Sequence, residues 1–164
     1  MGTLKNELLG AWRLLSYIEI PINGGDSCFP FGKSPKGILL YNPEGFMSLH
    51  ISASEEMQLL AEGQTPNYIA FSGEYKVDSR SACVNYFIET ALYPSWEGTQ
   101  QVRKLNFEGD VLYQKTVEPV MSEGEMVHAH MTWKRMDNEK GEDILLTEAW
   151  NDIALSHHAF LKEE

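Results

Sequence analysis

The chain has 164 residues, 43% of them hydrophobic and 23% charged, with a formal net charge of −11 and an isoelectric point near 4.9. That length suits one domain, taken as residues 1–164, with a core of useful size. The acidic balance argues against a nucleic-acid partner, which needs clustered Lys and Arg, and against adsorption to an anionic membrane, while a neutral or apolar small molecule fits it.

The opening "MGTLKNELLGAW" lacks a basic start followed by an apolar core, so no secretory signal is expected. Asn6 stands where myristoylation needs Ser or Thr, and no apolar run is long enough for a membrane-spanning helix. A reducing, cytoplasmic location is the default. Cys28 and Cys83 allow one disulfide arithmetically, but they form neither a disulfide framework nor a zinc ligand set.

Next comes "LLGAWRLLSY", which reads as the start of a first strand over residues 11–20. Strict alternation there puts Trp12, Leu14, Ser16 and Ile18 on one face and Arg13, Leu15, Tyr17 and Glu19 on the other. Gly10 allows a close approach, and Trp12 is sized to plug one end of a barrel, with Arg135 as a cation–π cover. Further strands are expected over 37–42, 45–51, 68–77, 82–92, 99–107, 110–117 and 126–136. Between them lie Gly-, Asn-, Asp- and Pro-rich turns, the pattern of an antiparallel meander. After the third strand, "SASEEMQLLAEG" predicts a short helix with Ser54 as N-cap, an apolar face of Met57, Leu60 and Ala61, and a stop at Gly63. Leu145, Leu146, Ala149, Trp150, Ile153 and Ala154 recur at helical spacing and predict a C-terminal helix. The fold class is therefore mainly β. About eight up-and-down strands close into one antiparallel barrel, which removes exposed edges and leaves room for one small ligand.

The Gly-x-Trp in "GAW" is similar to that of the lipocalin superfamily. The ordered set "PFGKSPKGILLYNPEGFMSLHI", "YIAFSGEYKVD", "IETALYPSWEGTQQVRKL" and "MTWKR" resembles the lipocalin-like domain family of bacteria and fungi over most of residues 8–136. One departure is Tyr86, where that family often carries His before a Pro-x-Trp turn, so chemistry that needs an imidazole there is not expected.

Among candidate site residues, Arg103 leads. Gln101, Arg103, Leu105 and Phe107 share one face of their strand, and the apolar pair should carry Arg103 and Gln101 inward. A buried guanidinium must be paired or hydrogen-bonded. It is then either an ion-pair partner of Glu89 or Glu74, or a donor that polarises a ligand oxygen. Arg103 and Tyr86 are the candidate catalytic residues. Ser16, Tyr41, His50, Phe71, Tyr75, Ile88, Trp96, Gln101 and Trp133 are the candidate substrate contacts, with simple core packing as the alternative for each aromatic. His50 is a candidate pocket acid or base whose orientation the pattern leaves open. His128 and His130 share one face but sit opposite Met131 and Trp133, which puts them outside, so no metal is expected. His157 and His158 read as a solvated face.

No dinucleotide, P-loop, nucleophile-elbow or zinc-protease motif is present, so no cofactor is expected. What the resemblance implies is a tailoring step in secondary metabolism: a cofactor-independent cyclase or pericyclase of Diels–Alder or hetero-Diels–Alder type, or a dehydratase or isomerase. Its partner would be a hydrophobic polyketide- or terpenoid-like molecule, with a homodimer allowed. The alternative is a carrier or sensor that binds such a ligand and leaves it unchanged, because fold alone does not separate the two.

Overall fold

A computed structural model describes residues 3–60 and 68–136, apart from the side chains of 58–60. The expected stop at Gly63, the C-terminal helix and His157-His158 lie outside the described residues. Nine strands are described, β1 (Gly10–Pro21), β2 (Lys36–Tyr41), β3 (Phe46–Ser52), β4 (Tyr68–Asp78), β5 (Cys83–Ala91), β6 (Gln100–Glu108), β7 (Val111–Thr116), β8 (Val120–Ser122) and β9 (Glu125–Arg135). Every pairing is antiparallel and runs in chain order until β9, which bonds back to β1 and closes the sheet. β7 and β8 are two pieces of one stave, since both pair with β9, at Val111–Lys115 and at Val120–Ser122 respectively. Pro119 falls in the break between them and offers no N–H to a ladder. The result is the expected closed eight-stave barrel, with strand positions within a residue or two of those read from the pattern.

Alternation sets the inside of each stave. Met47, Leu49 and Ile51 are buried on β3, Val84, Tyr86 and Ile88 on β5, and Arg103 and Leu105 on β6. β1 departs from it. Leu14 pairs with Trp133 and Ser16 with Thr132, so Leu15 and Ser16 together oppose one residue of β9. This bulge turns the second half of the strand over. Trp12 and Leu14 face inward before it, and Tyr17 and Glu19 face inward after it. The expectation that Ser16 and Ile18 share the inner face with Trp12 is therefore corrected, because one extra residue exchanges the two faces.

A second bulge lies on β5, where Glu89 is the extra residue opposite Ser72 and Gly73 of β4. A side chain at Gly73 would be impossible, since its Cβ would stand 1.8 Å from the Phe87 carbonyl oxygen.

One end of the barrel is sealed. Trp12 is 0% exposed, and its indole N–H donates to the Leu8 carbonyl at 2.8 Å. Leu8 ends a single turn and a half of helix, α1 (Leu4–Leu8), which Thr3 caps through the Asn6 N–H. The Arg135 guanidinium lies 4.2 Å from the Trp12 ring centroid and donates to the Leu9 and Glu7 carbonyls. Gly10 serves this corner through its φ of +110°, a conformation costly for a residue with a Cβ. The close approach expected at Gly10 is not what requires it, because the nearest atom to an added Cβ is 4.0 Å away. Helix α2 (Glu55–Leu60) follows β3 as expected, with the Ser54 hydroxyl accepting the Met57 N–H.

Candidate functional site

The other end of the barrel opens into a cavity of about 570 Å³. This lies within the size range of small-molecule sites. Its aromatic wall is built by Tyr17 and Phe31, which meet edge-to-face at 4.8 Å, with Tyr68, Tyr93 and Trp96. Gln101, Arg103 and Thr116 form a polar wall, and Glu19 and Ser122 form another. Parity on β6 delivers Gln101 and Arg103, the bulge in β1 delivers Tyr17 and Glu19, and the turn after β5 delivers Trp96.

Arg103 is 5% exposed. Neither Glu89 nor Glu74 pairs with it, for both are exposed on the outer face of the barrel. Its guanidinium instead donates to the Gln101 side-chain oxygen at 2.8 Å and to the Met131 sulfur at 2.7 Å, and it lies 5.8 Å from the Tyr86 ring centroid. Its Nε has no partner among the described residues. A buried charged donor with an open valence is costly unless something else completes it.

Beneath Arg103 lies a closed polar network. The Trp133 indole N–H donates to Gln114 Oε1 at 3.1 Å, which fixes the amide so that Nε2 donates to the hydroxyls of Tyr41 and Tyr86 at 3.0 and 2.9 Å. The two hydroxyls are themselves 2.5 Å apart, so one donates to the other. Burial raises the pKa of both phenols above the usual range, Tyr41 well above it, and so keeps them protonated near neutral pH. Tyr17, on the cavity wall, is pushed up to about 12, chiefly by burial, with Arg103 opposing and Glu19 reinforcing. None of the three is therefore a general base near pH 7.

Of the residues proposed from the sequence, Trp96, Gln101 and Arg103 line the cavity. Tyr41, Phe71, Tyr75, Tyr86, Ile88 and Trp133 point into the barrel but are buried in its packed interior, off the cavity wall. Tyr75 donates to the Asn42 carbonyl at 2.8 Å. Tyr86 reaches the site through its ring under Arg103, with its hydroxyl already engaged. Two candidates are corrected outright. Ser16 faces outward because the β1 bulge turns it there opposite Thr132, and His50 is exposed because Met47, Leu49 and Ile51 take the inner face of β3.

The pattern did not single out Tyr17, Glu19, Phe31, Thr116 or Gln114. Gln114 had a readable signal, since it alternates inward with Leu112 and Thr116 on β7. His128 and His130 are half-buried on the side away from Met131 and Trp133, and the His128 Nδ1 bonds the Thr116 carbonyl at 2.9 Å. Among the described residues no three His, Cys, Asp or Glu side chains cluster as a metal site.

The sequence profile of the lipocalin-like domain matches residues 9–136, which takes in every strand of the barrel. The chain belongs to the lipocalin-like domain family. The chain is similar to the 4'-hydroxy-3'-methoxypropiophenone carrier protein ppsC of Aspergillus oryzae. It is 30% identical over 76 residues, covering 43% of this chain and 68% of the relative. No solved structure matches. The lipocalin-like barrel thus presents one open, small-molecule-sized cavity at the end opposite its Trp12 seal.

Proposed function

We propose that this lipocalin-like protein binds a hydrophobic aromatic small molecule bearing a carbonyl oxygen, and carries it unchanged. The observation that carries the reading is the buried Arg103 guanidinium on the cavity wall, which meets no carboxylate among the described residues, beside a lining of aromatic rings. A flat aryl group packs against Tyr17, Phe31 and Trp96, and its oxygen accepts from the guanidinium. The aryl ketone in the name of the Aspergillus oryzae relative supports this ligand class, and the description of that relative as a carrier supports transport over turnover.

A second reading, catalysis of cyclisation, dehydration or isomerisation, is favoured by one observation. Arg103 and Glu19, a donor and a carboxylate, line the same cavity and are both largely buried. In that reading Arg103 stabilises charge developing on a substrate oxygen while the cavity fixes its folded conformation.

The test is titration with 4'-hydroxy-3'-methoxypropiophenone, followed by quenching of tryptophan fluorescence and by chemical analysis of the recovered ligand. Saturable one-to-one binding with unchanged ligand is expected. Arg103→Met should weaken it about tenfold or more, as for loss of a charged hydrogen bond, and Trp96→Phe should remove much of the quench. Absence of saturable binding would overturn the reading, and conversion of the ligand would replace carriage with catalysis.

A further inference from the structure

Two buried, opposite charges face this cavity without meeting, while the exposed Glu123 stands at its rim. Glu19 is 7% exposed. Its Oε1 accepts from the Ser122 hydroxyl at 2.7 Å and lies 4.0 Å from the Cys28 sulfur. Both contacts fall on the same oxygen, so Oε2 is left to the cavity that Glu19 lines. The register places Glu19 and Arg103 at one level. Glu19 pairs with Ala129 on β9, the Ala129 N–H donates to Thr116 on β7, and Thr116 pairs with Arg103 on β6. Three strand spacings separate them, which puts their Cα atoms about 14 Å apart along the curved wall. Their side chains narrow that gap without closing it, because the ion pair within 4 Å among the described residues is the surface pair Lys36–Glu55.

Among the described residues, each charge therefore bears the cost of leaving water without an opposite charge in contact. A ligand that spans the gap relieves both. Because the two charges offset one another across the cavity, such a ligand enters without a net charge of its own.

We infer that the cavity is built for a two-ended neutral ligand, with an acceptor oxygen at the Arg103 guanidinium and a hydroxyl donating to Glu19 Oε2. This deepens the binding reading above, on which it rests, by fixing the ligand's polarity and its direction in the site. Glu19 then selects among aryl ketones by the group at the far end of the ring. A free hydroxyl donates to the carboxylate, a methyl ether has no proton to give, and bare hydrogen leaves the carboxylate unserved.

The experiment compares three probes by calorimetric titration: propiophenone, its para-hydroxy derivative and the para-methoxy ether of that derivative. Each is titrated into the wild-type protein, Glu19→Gln and Glu19→Leu, with circular dichroism and thermal melting to establish that each variant is folded. The wild type should bind the hydroxy compound about tenfold more tightly than the other two, the scale of a hydrogen bond to a charged group. Glu19→Gln, nearly the same shape, should reduce that preference severalfold, and Glu19→Leu should abolish it. Equal affinity of the wild type for all three probes, a preference undiminished in Glu19→Gln, or one that survives in Glu19→Leu overturns the two-ended ligand and leaves the binding reading standing. Failure of all three probes to bind the wild type overturns both.

Discussion

At one end of the barrel Trp12 is wholly buried with its single donor satisfied, while at the other Arg103 is almost as buried and keeps a nitrogen without a partner. Both ends draw on the same strands, and each carries one arginine against an aromatic ring. Arg135 covers Trp12 and spends its other donors on the Leu9 and Glu7 carbonyls, locking α1 over the opening. Arg103 lies over Tyr86 and, among the described residues, reaches neutral acceptors. The difference teaches that burial alone does not mark a site. A buried polar group whose bonds are complete holds structure together, whereas one left incomplete in a cavity is available to a ligand.

Four variants or conditions sharpen this contrast, taken from the largest effect to the smallest. Trp12→Ala should cost about 3–5 kcal/mol, as for truncation of a large buried aromatic, read from urea denaturation. Ligand affinity of the protein that remains folded should be unchanged; a selective loss of binding would move Trp12 from the seal to the site. Gln114→Leu should cost about 2 kcal/mol, because it orphans the Trp133 N–H and breaks the bridge to both phenols. Stability at the wild-type level would mean that the network contributes nothing beyond its packing.

Alkaline pH offers a milder probe. In the folded state Tyr17 holds its proton up to about 12, whereas the unfolded chain releases it near the ordinary value of 10. The folded protein then binds more protons, so this contribution is complete below pH 10 and is lost as pH rises toward 12. Tyr41 and Tyr86 are shifted in the same direction. Tyr17→Phe keeps the ring against Phe31 and should flatten the fall in melting temperature between pH 10 and 12; an unaltered slope would remove Tyr17 as a contributor. The smallest effect is expected from Arg103→Met, which should hold stability within about 1 kcal/mol of wild type, because no buried carboxylate is stranded by the loss. A large destabilisation would make Arg103 a structural residue like Arg135.

Much of the barrel was legible because its staves obey alternation and its turns carry Gly, Asn, Asp and Pro. On β6 the apolar pair Leu105 and Phe107 correctly placed Gln101 and Arg103 at the interior, and two of the site's polar donors followed from parity alone. The limits are physical. A bulge is a fact of pairing between strands, so the inward turn of Tyr17 and Glu19 was invisible in β1 by itself. The network through Gln114 joins residues 41, 86, 114 and 133, which only closure of the sheet brings together. His50 is a different case: the aromatic Phe46 shares its parity and left its direction open, and burial of Met47, Leu49 and Ile51 turns it outward. Whether an inward aromatic lines space or fills it depends on the depth at which the packed interior ends, and periodicity carries no information about depth.

The extra residue in β1 acts as a phase slip. Read without it, the same twelve residues would send Ser16, Ile18 and Ile20 into the mouth of the barrel and leave Tyr17 and Glu19 in water. That mouth would lose Glu19, the buried carboxylate that balances Arg103, although no side chain in the strand had changed. Removal of Leu15, by contrast, would restore regular alternation with Trp12, Leu14, Tyr17 and Glu19 still inward. The polarity of the container is therefore encoded in how residues are counted along a strand as well as in which residues they are. One inserted or deleted position on the far side of the slip rewrites the lining while the Trp12 seal stays in place.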